Sequence, residues 1–74
     1  MNIASELHNK WFGGELVSGV KFLLNDYVVV ALGNHAGLSG SVVSIIKFEP
    51  NPLYILETEM NGDVEVRESE IHYP

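Results

Sequence analysis

Cysteine is absent from this 74-residue chain. Its absence excludes disulfide staples, a thiolate zinc site and a cysteine nucleophile together. Basic residues are nearly as scarce: four Lys and Arg stand against ten Asp and Glu, a formal charge of −6. Affinity for nucleic acid comes largely from Lys and Arg displacing counterions from phosphates, so this balance argues against such a ligand. It suits a basic protein partner, and it serves solubility equally well. Long hydrophobic runs are missing too; nothing approaches the ~20 apolar residues of a membrane span. Residues 1–12 contain Glu6, His8 and Lys10 and no apolar core of a secretion signal. A cytoplasmic protein outside the membrane is therefore expected. Repeats, linkers and low-complexity tracts are also lacking, and 1–74 reads as one domain. At this size a chain buries only about 60% of its unfolded surface, yet an apolar share of 46% is ample for a core.

What is present is organised around residues 26–48. Two β-branched runs, 27–32 and 41–48, flank a segment carrying Gly33, Asn34, Gly37 and Gly40. That pattern is a strand, a glycine-punctuated loop and a second strand. Both runs are apolar on both faces: Val28, Val30 and Leu32 oppose Tyr27, Val29 and Ala31, and Val42 and Ile46 oppose Val43 and Ile45. A strand with one wet face would alternate, so this pair is expected to be covered on both sides. One cover is at hand. Asn2 can cap a short helix in which Ile3, Leu7 and Trp11 recur every four residues, with Ala4 and Phe12 widening the stripe, and Gly13-Gly14 stops it within 1–14. Trp11 and Phe12 are expected to anchor that helix to the β-domain of residues 20–74.

Residues 15–24 read as a loop or turn leading into a short strand near Val20, and Asn25-Asp26 as a tight turn in which Asn takes the left-handed conformation. Two prolines make Glu49-Pro50-Asn51-Pro52 a turn. A third strand covers 53–59, and Asn61-Gly62 predicts a type I′ hairpin into an alternating strand at 64–67. One helical turn at Glu68-Ser69-Glu70 and a last strand at 71–73 complete the chain. Five short strands with regular turn signals imply an all-β small barrel with an N-terminal α-helix.

The residues also resemble a family. Asp26 through Val30, then Gly37 and Gly40 followed by Val42 and Ile45, then Tyr54 and Leu56, then Val66 with Glu70-Ile71, are similar to the five-stranded Src-homology-3-like small barrels. More narrowly they resemble KOW-type barrels, whose loop glycine would correspond to Gly40; the likeness spans 24–73. Among small acidic single-barrel proteins, the chain looks most like the mostly-β immunity proteins encoded beside bacterial polymorphic toxins. That resemblance implies a non-catalytic inhibitor that binds a basic toxin or nuclease. The alternative it leaves is a KOW-like accessory module of a ribosomal or nucleoprotein assembly. RNA-binding KOW barrels are basic around the first loop, whereas residues 33–39 here carry no charge beyond His35.

The candidate residues point the same way. From Glu49 onward seven acids meet one base, Arg67. Glu57, Glu59 and Glu65 are expected on one solvated face, where a basic partner would be steered by charge. Tyr54, Tyr73 and Trp11 are the aromatic residues expected to supply partner anchors. His35 is expected at the tip of the glycine loop, where binding residues concentrate. Gly33, Gly37 and Gly40 read as structural: positive φ, or a bulge where the sheet bends. No helix and no Lys-Ser/Thr pair follows them, so they are no phosphate cradle. His8, His35 and His72 lack metal-ligand spacing, and Ser39 and Ser41 lack a paired base. No cofactor, metal or catalytic role is expected, and the oligomeric state stays open.

Overall fold

A computed structural model describes residues 3–74, with side chains from Ser5 onward. The Asn2 cap and the side chains of Ile3 and Ala4 lie outside the described residues. The chain forms a helix α1 (Ile3–Phe12) and five strands: β1 (Tyr27–Val30), β2 (Ser39–Lys47), β3 (Leu53–Thr58), β4 (Gly62–Arg67) and β5 (Ile71–His72), with a 3-10 turn over Glu68–Glu70 before β5. Every pairing is antiparallel, and the order across the sheet is β4-β3-β2-β1-β5. β4 and β5 stand at its two edges and are not paired with each other, so the sheet is not closed into a barrel. The 3-10 turn carries the chain to the far side of β1, where only two residue pairs, Val29 with His72 and Val30 with Ile71, are made.

α1 ends as its glycines predict. The Glu15 amide bonds the Lys10 carbonyl and the Gly14 amide bonds that of Trp11, both at 3.0 Å. With Gly14 at φ 84°, this is a Schellman stop. Trp11 is fully buried and donates its indole N–H to the Phe22 carbonyl at 2.9 Å, while His8 places Nε2 3.0 Å from the Ile45 carbonyl. The helix thus docks on its own domain. Phe12 is no anchor, however: it sits edge-on to Trp11 and stays 45% exposed.

The inner face of the sheet holds Val28, Val30, Val42, Ile45, Tyr54, Leu56, Val64, Val66 and Ile71, with Trp11, Val20 and Phe22 completing the core. Burying side chains of this size stabilises by roughly 1.5–3 kcal/mol each. Three local expectations are corrected. No strand forms near Val20 among the described residues; that segment is held by side chains instead, its Phe22 amide on the Tyr54 hydroxyl and its Lys21 amide on Glu68. Val42 and Ile46 do not share a face, because the β2–β3 register slips between Val42 and Ser44 and again between Ile45 and Lys47. The first slip brings Val42 and Ile45 together on the buried side and leaves Ile46 exposed. Thirdly, the hairpin after β3 turns through residues 59–61, with Thr58 facing Gly62. Gly62 has φ 66° but Asn61 is not left-handed, whereas a type I′ turn needs both central residues there. The Asn25-Asp26 turn does form: Asn25 has φ 73°, and Asp26 accepts the Leu23 amide at 2.9 Å.

Among the described residues, no helix is long and apolar enough to cross a membrane.

Candidate functional site

The outer face of the sheet collects what the inner face excludes. Strand register aligns Tyr27 with Ser41, Ser41 with Glu57, and Glu57 with Asp63 in one row across β1, β2, β3 and β4. The next row sets Ile55 opposite Glu65, and the one beyond sets Leu53 between Lys47 and Arg67. The acids are therefore gathered at the end of the sheet that carries the β3–β4 hairpin tip.

A groove of about 440 Å³ opens at that end. Tyr27 forms one wall, Gly37 to Ser41 another, and Glu57 through Asn61 the third. Each wall has a local cause. Gly40 is not left-handed; a Cβ on it would run into the Glu57 backbone carbonyl, so the missing side chain is what lets β2 approach β3. Gly37, at φ 96°, returns the loop by donating its amide to Val30 at 2.8 Å. The Tyr27 hydroxyl is fixed by donation to Ser39 Oγ at 2.8 Å. Buried Thr58 accepts the Asn61 amide at 3.1 Å and donates to the Gly62 carbonyl at 2.7 Å, which holds the tip and leaves Met60 92% exposed.

The electrostatics are one-sided. Glu57 and Glu59 line the groove and no Lys or Arg does. Like charges directly opposite on neighbouring strands are destabilising, and Glu57 faces Asp63 in register. A cation placed there would relieve that repulsion. Among the described residues, no three of His, Asp and Glu converge as a metal site.

Comparison with known proteins returned nothing. No family model matches the chain, and no curated protein and no solved structure matches it.

The structure separates the sequence candidates. Glu57 and Glu59 come together on the groove, and Glu65 lies on the same outer face one row away. Trp11 and Tyr54 are fully buried, and so are packing residues rather than surface anchors. Apolar bulk carries both inward, and each satisfies its polar atom internally. Tyr73 is half-exposed but sits elsewhere, its ring 5.0 Å from Phe22 and its hydroxyl on Asp26 at 2.7 Å. His35 is half-buried rather than at an open tip, its carbonyl closing the loop onto the Leu38 amide. Gly33 and Gly37 have positive φ, as their loop position suggests. Sequence reasoning passed over Tyr27, Asp63 and Met60. The two-residue period separates Tyr27 from Val28 and Val30 but reads both faces as covered; the structure leaves Tyr27 exposed, in a row that ends in Glu57 and Asp63.

Proposed function

We propose that this chain is a non-catalytic, cytoplasmic protein-binding module that takes a basic partner on its acidic outer face. Its concrete form is an immunity-type inhibitor that occludes a basic toxin or nuclease. The observation that carries the reading is the in-register Glu57–Asp63 pair beside a groove walled by Glu57, Glu59 and Tyr27. Those carboxylates accelerate encounter with a basic surface and select against acidic ones. Tyr27 and exposed Met60 supply the apolar contact that Trp11 and Tyr54, being buried, do not.

The same reading takes the sheet, open between β4 and β5, as a variant of the Src-homology-3-like barrels of KOW-like type. Its support is the antiparallel meander order, the two register slips that bend β2, and the 3-10 turn that returns β5 beside β1. The accessory role in a nucleoprotein assembly draws no support from a groove lined by acids.

The test is a titration with an arginine-rich peptide and with double-stranded DNA, at low and at physiological salt. The peptide is expected to bind in a salt-sensitive way, and the DNA is not. Reversal of Glu57, Glu59 and Glu65 to Lys should abolish peptide binding while the fold, followed by circular dichroism, persists. Unchanged binding by that triple variant would remove the electrostatic basis of the proposal. Capture from lysate at two salt concentrations, with mass spectrometry, would then identify the partner.

A further inference from the structure

A second concavity, of about 590 Å³, lies between α1 and the end of β2 and shares no residue with the acidic groove. Its volume falls within the ~300–1,000 Å³ typical of small-molecule sites. Leu7 from α1, Leu16 and Val17 from the following loop, and Ile46 and Phe48 from β2 and its exit make it apolar. His8 steadies one wall: its ring meets Phe48 edge-on at 4.9 Å while Nε2 engages the Ile45 carbonyl.

Two observations say what this groove is suited to hold. Leu16 and Ile46 line it, yet remain 81% and 39% exposed. Leu16 rides on a loop bracketed by the left-handed glycines Gly14 and Gly19, and an occupant of the groove would cover it. The second observation is charge. The chain has four Lys and Arg in all, and two of them, Lys10 on the helix wall and Lys47 on the strand wall, line this groove; Glu49 is the single acid there. An acidic protein has thus set half of its cations around an apolar concavity.

We infer that the groove binds a single-chain alkyl carboxylate, the anion of a medium-chain fatty acid. The chain lies on Leu7, Leu16, Ile46 and Phe48, and the carboxylate is held by Lys10 and Lys47. A docked peptide helix fits less well: protein partners bury ~800 Å² a side over 20–30 residues, and ten residues line this groove.

The experiment is a titration of the isotope-labelled full chain with decanoate below micelle formation, read by backbone amide shifts. Decanol and decyltrimethylammonium serve as the neutral and cationic counterparts. Decanoate is expected to saturate at one per chain, with shifts confined to α1, residues 14–19 and residues 46–49. Affinity should rise about fourfold per methylene from octanoate to dodecanoate. Lys10→Glu with Lys47→Glu should weaken decanoate binding at least tenfold while amide dispersion is kept. Ile46→Glu, at a partly exposed position, should do the same by denying the chain its floor. Absence of saturable shifts with decanoate would overturn the inference. So would equal affinity for decanol and decanoate, or shifts centred on Tyr27 and Glu57.

Discussion

Replacing Tyr54 by Phe removes one oxygen from the middle of the fold and leaves the ring's shape. That hydroxyl is a junction of three segments. It donates to Glu68 Oε2 at 2.6 Å and accepts the Phe22 amide at 3.3 Å, and the same Oε2 accepts the Lys21 amide at 2.9 Å. β3, the 3-10 turn and the irregular run beneath α1 all meet there. A hydrogen bond to a charged acceptor contributes roughly 1.5–3 kcal/mol. The lower end applies, because half-buried Glu68 regains water, while the buried Phe22 N–H is left without its partner. The sum is a loss of about 2 kcal/mol. A domain of this length has roughly 4–11 kcal/mol in total. The variant should therefore melt about 8–16 °C lower. Its urea midpoint should fall by about 1.5 M at an unchanged slope. Trp11, the only tryptophan and fully buried, reports the transition by fluorescence. A double-mutant cycle with Glu68→Gln should return a coupling of about 1 kcal/mol. A Tyr54→Phe loss below about 0.5 kcal/mol, or a cycle without coupling, would mean these bonds only replace equivalent bonds to water.

Burial raises the Tyr54 pKa above the usual tyrosine range, and its bond to the Glu68 carboxylate adds to that, against a smaller opposing effect of the Phe22 amide. A raised folded-state pKa stabilises below the unfolded value of about 10, and the contribution is lost as pH climbs toward the folded value. The unfolding free energy from urea titration should fall above pH ~10, with Tyr54 contributing up to ~1.4 kcal/mol per pH unit; Tyr54→Phe should remove that part and leave the share of Tyr73, whose pKa is raised by its bond to Asp26. Gly40→Ala should cost about 2–3 kcal/mol, since the new methyl meets the Glu57 backbone. Gly37→Ala, with open space but φ 96°, should cost about 1–2 kcal/mol; the reverse ranking in chemical denaturation would contradict the close approach of β2 and β3. Asp26→Ala removes the acceptor of the Leu23 amide and the Tyr73 hydroxyl and should lower stability by about 1–2 kcal/mol in the same assay.

Local patterns exposed much of this fold. The helix and its stop, the five strands, the Asn25-Asp26 turn and the 3-10 turn before β5 follow from periodicity, glycine placement and turn chemistry. What stayed hidden was set by partners distant in sequence. The slip beside Val43 depends on how β3 lies against β2, and it reverses the face assigned to Ile45 and Ile46. The extended run at Val20 forms no ladder because Tyr54 and Glu68 take its amides. The candidate site shows the same division. Composition made Glu57, Glu59 and Glu65 visible, but aromaticity alone could not separate buried Trp11 and Tyr54 from exposed Tyr27.

The open end of the sheet gives the acids a second consequence. β4 is an edge strand of six residues with Val64 and Val66 buried and Asp63, Glu65 and Arg67 outward. An edge of this kind is a template on which another chain can add a strand, and outward charge is what discourages it. At the isoelectric point of about 4.7 the net repulsion between chains vanishes, and intermolecular sheet growth should then start at β4. The same holds for any ligand that neutralises Asp63 and Glu65 without covering the strand beside them. The basic partner proposed for this face would therefore also have to shield the β4 edge, or its binding would leave that edge open to strand addition.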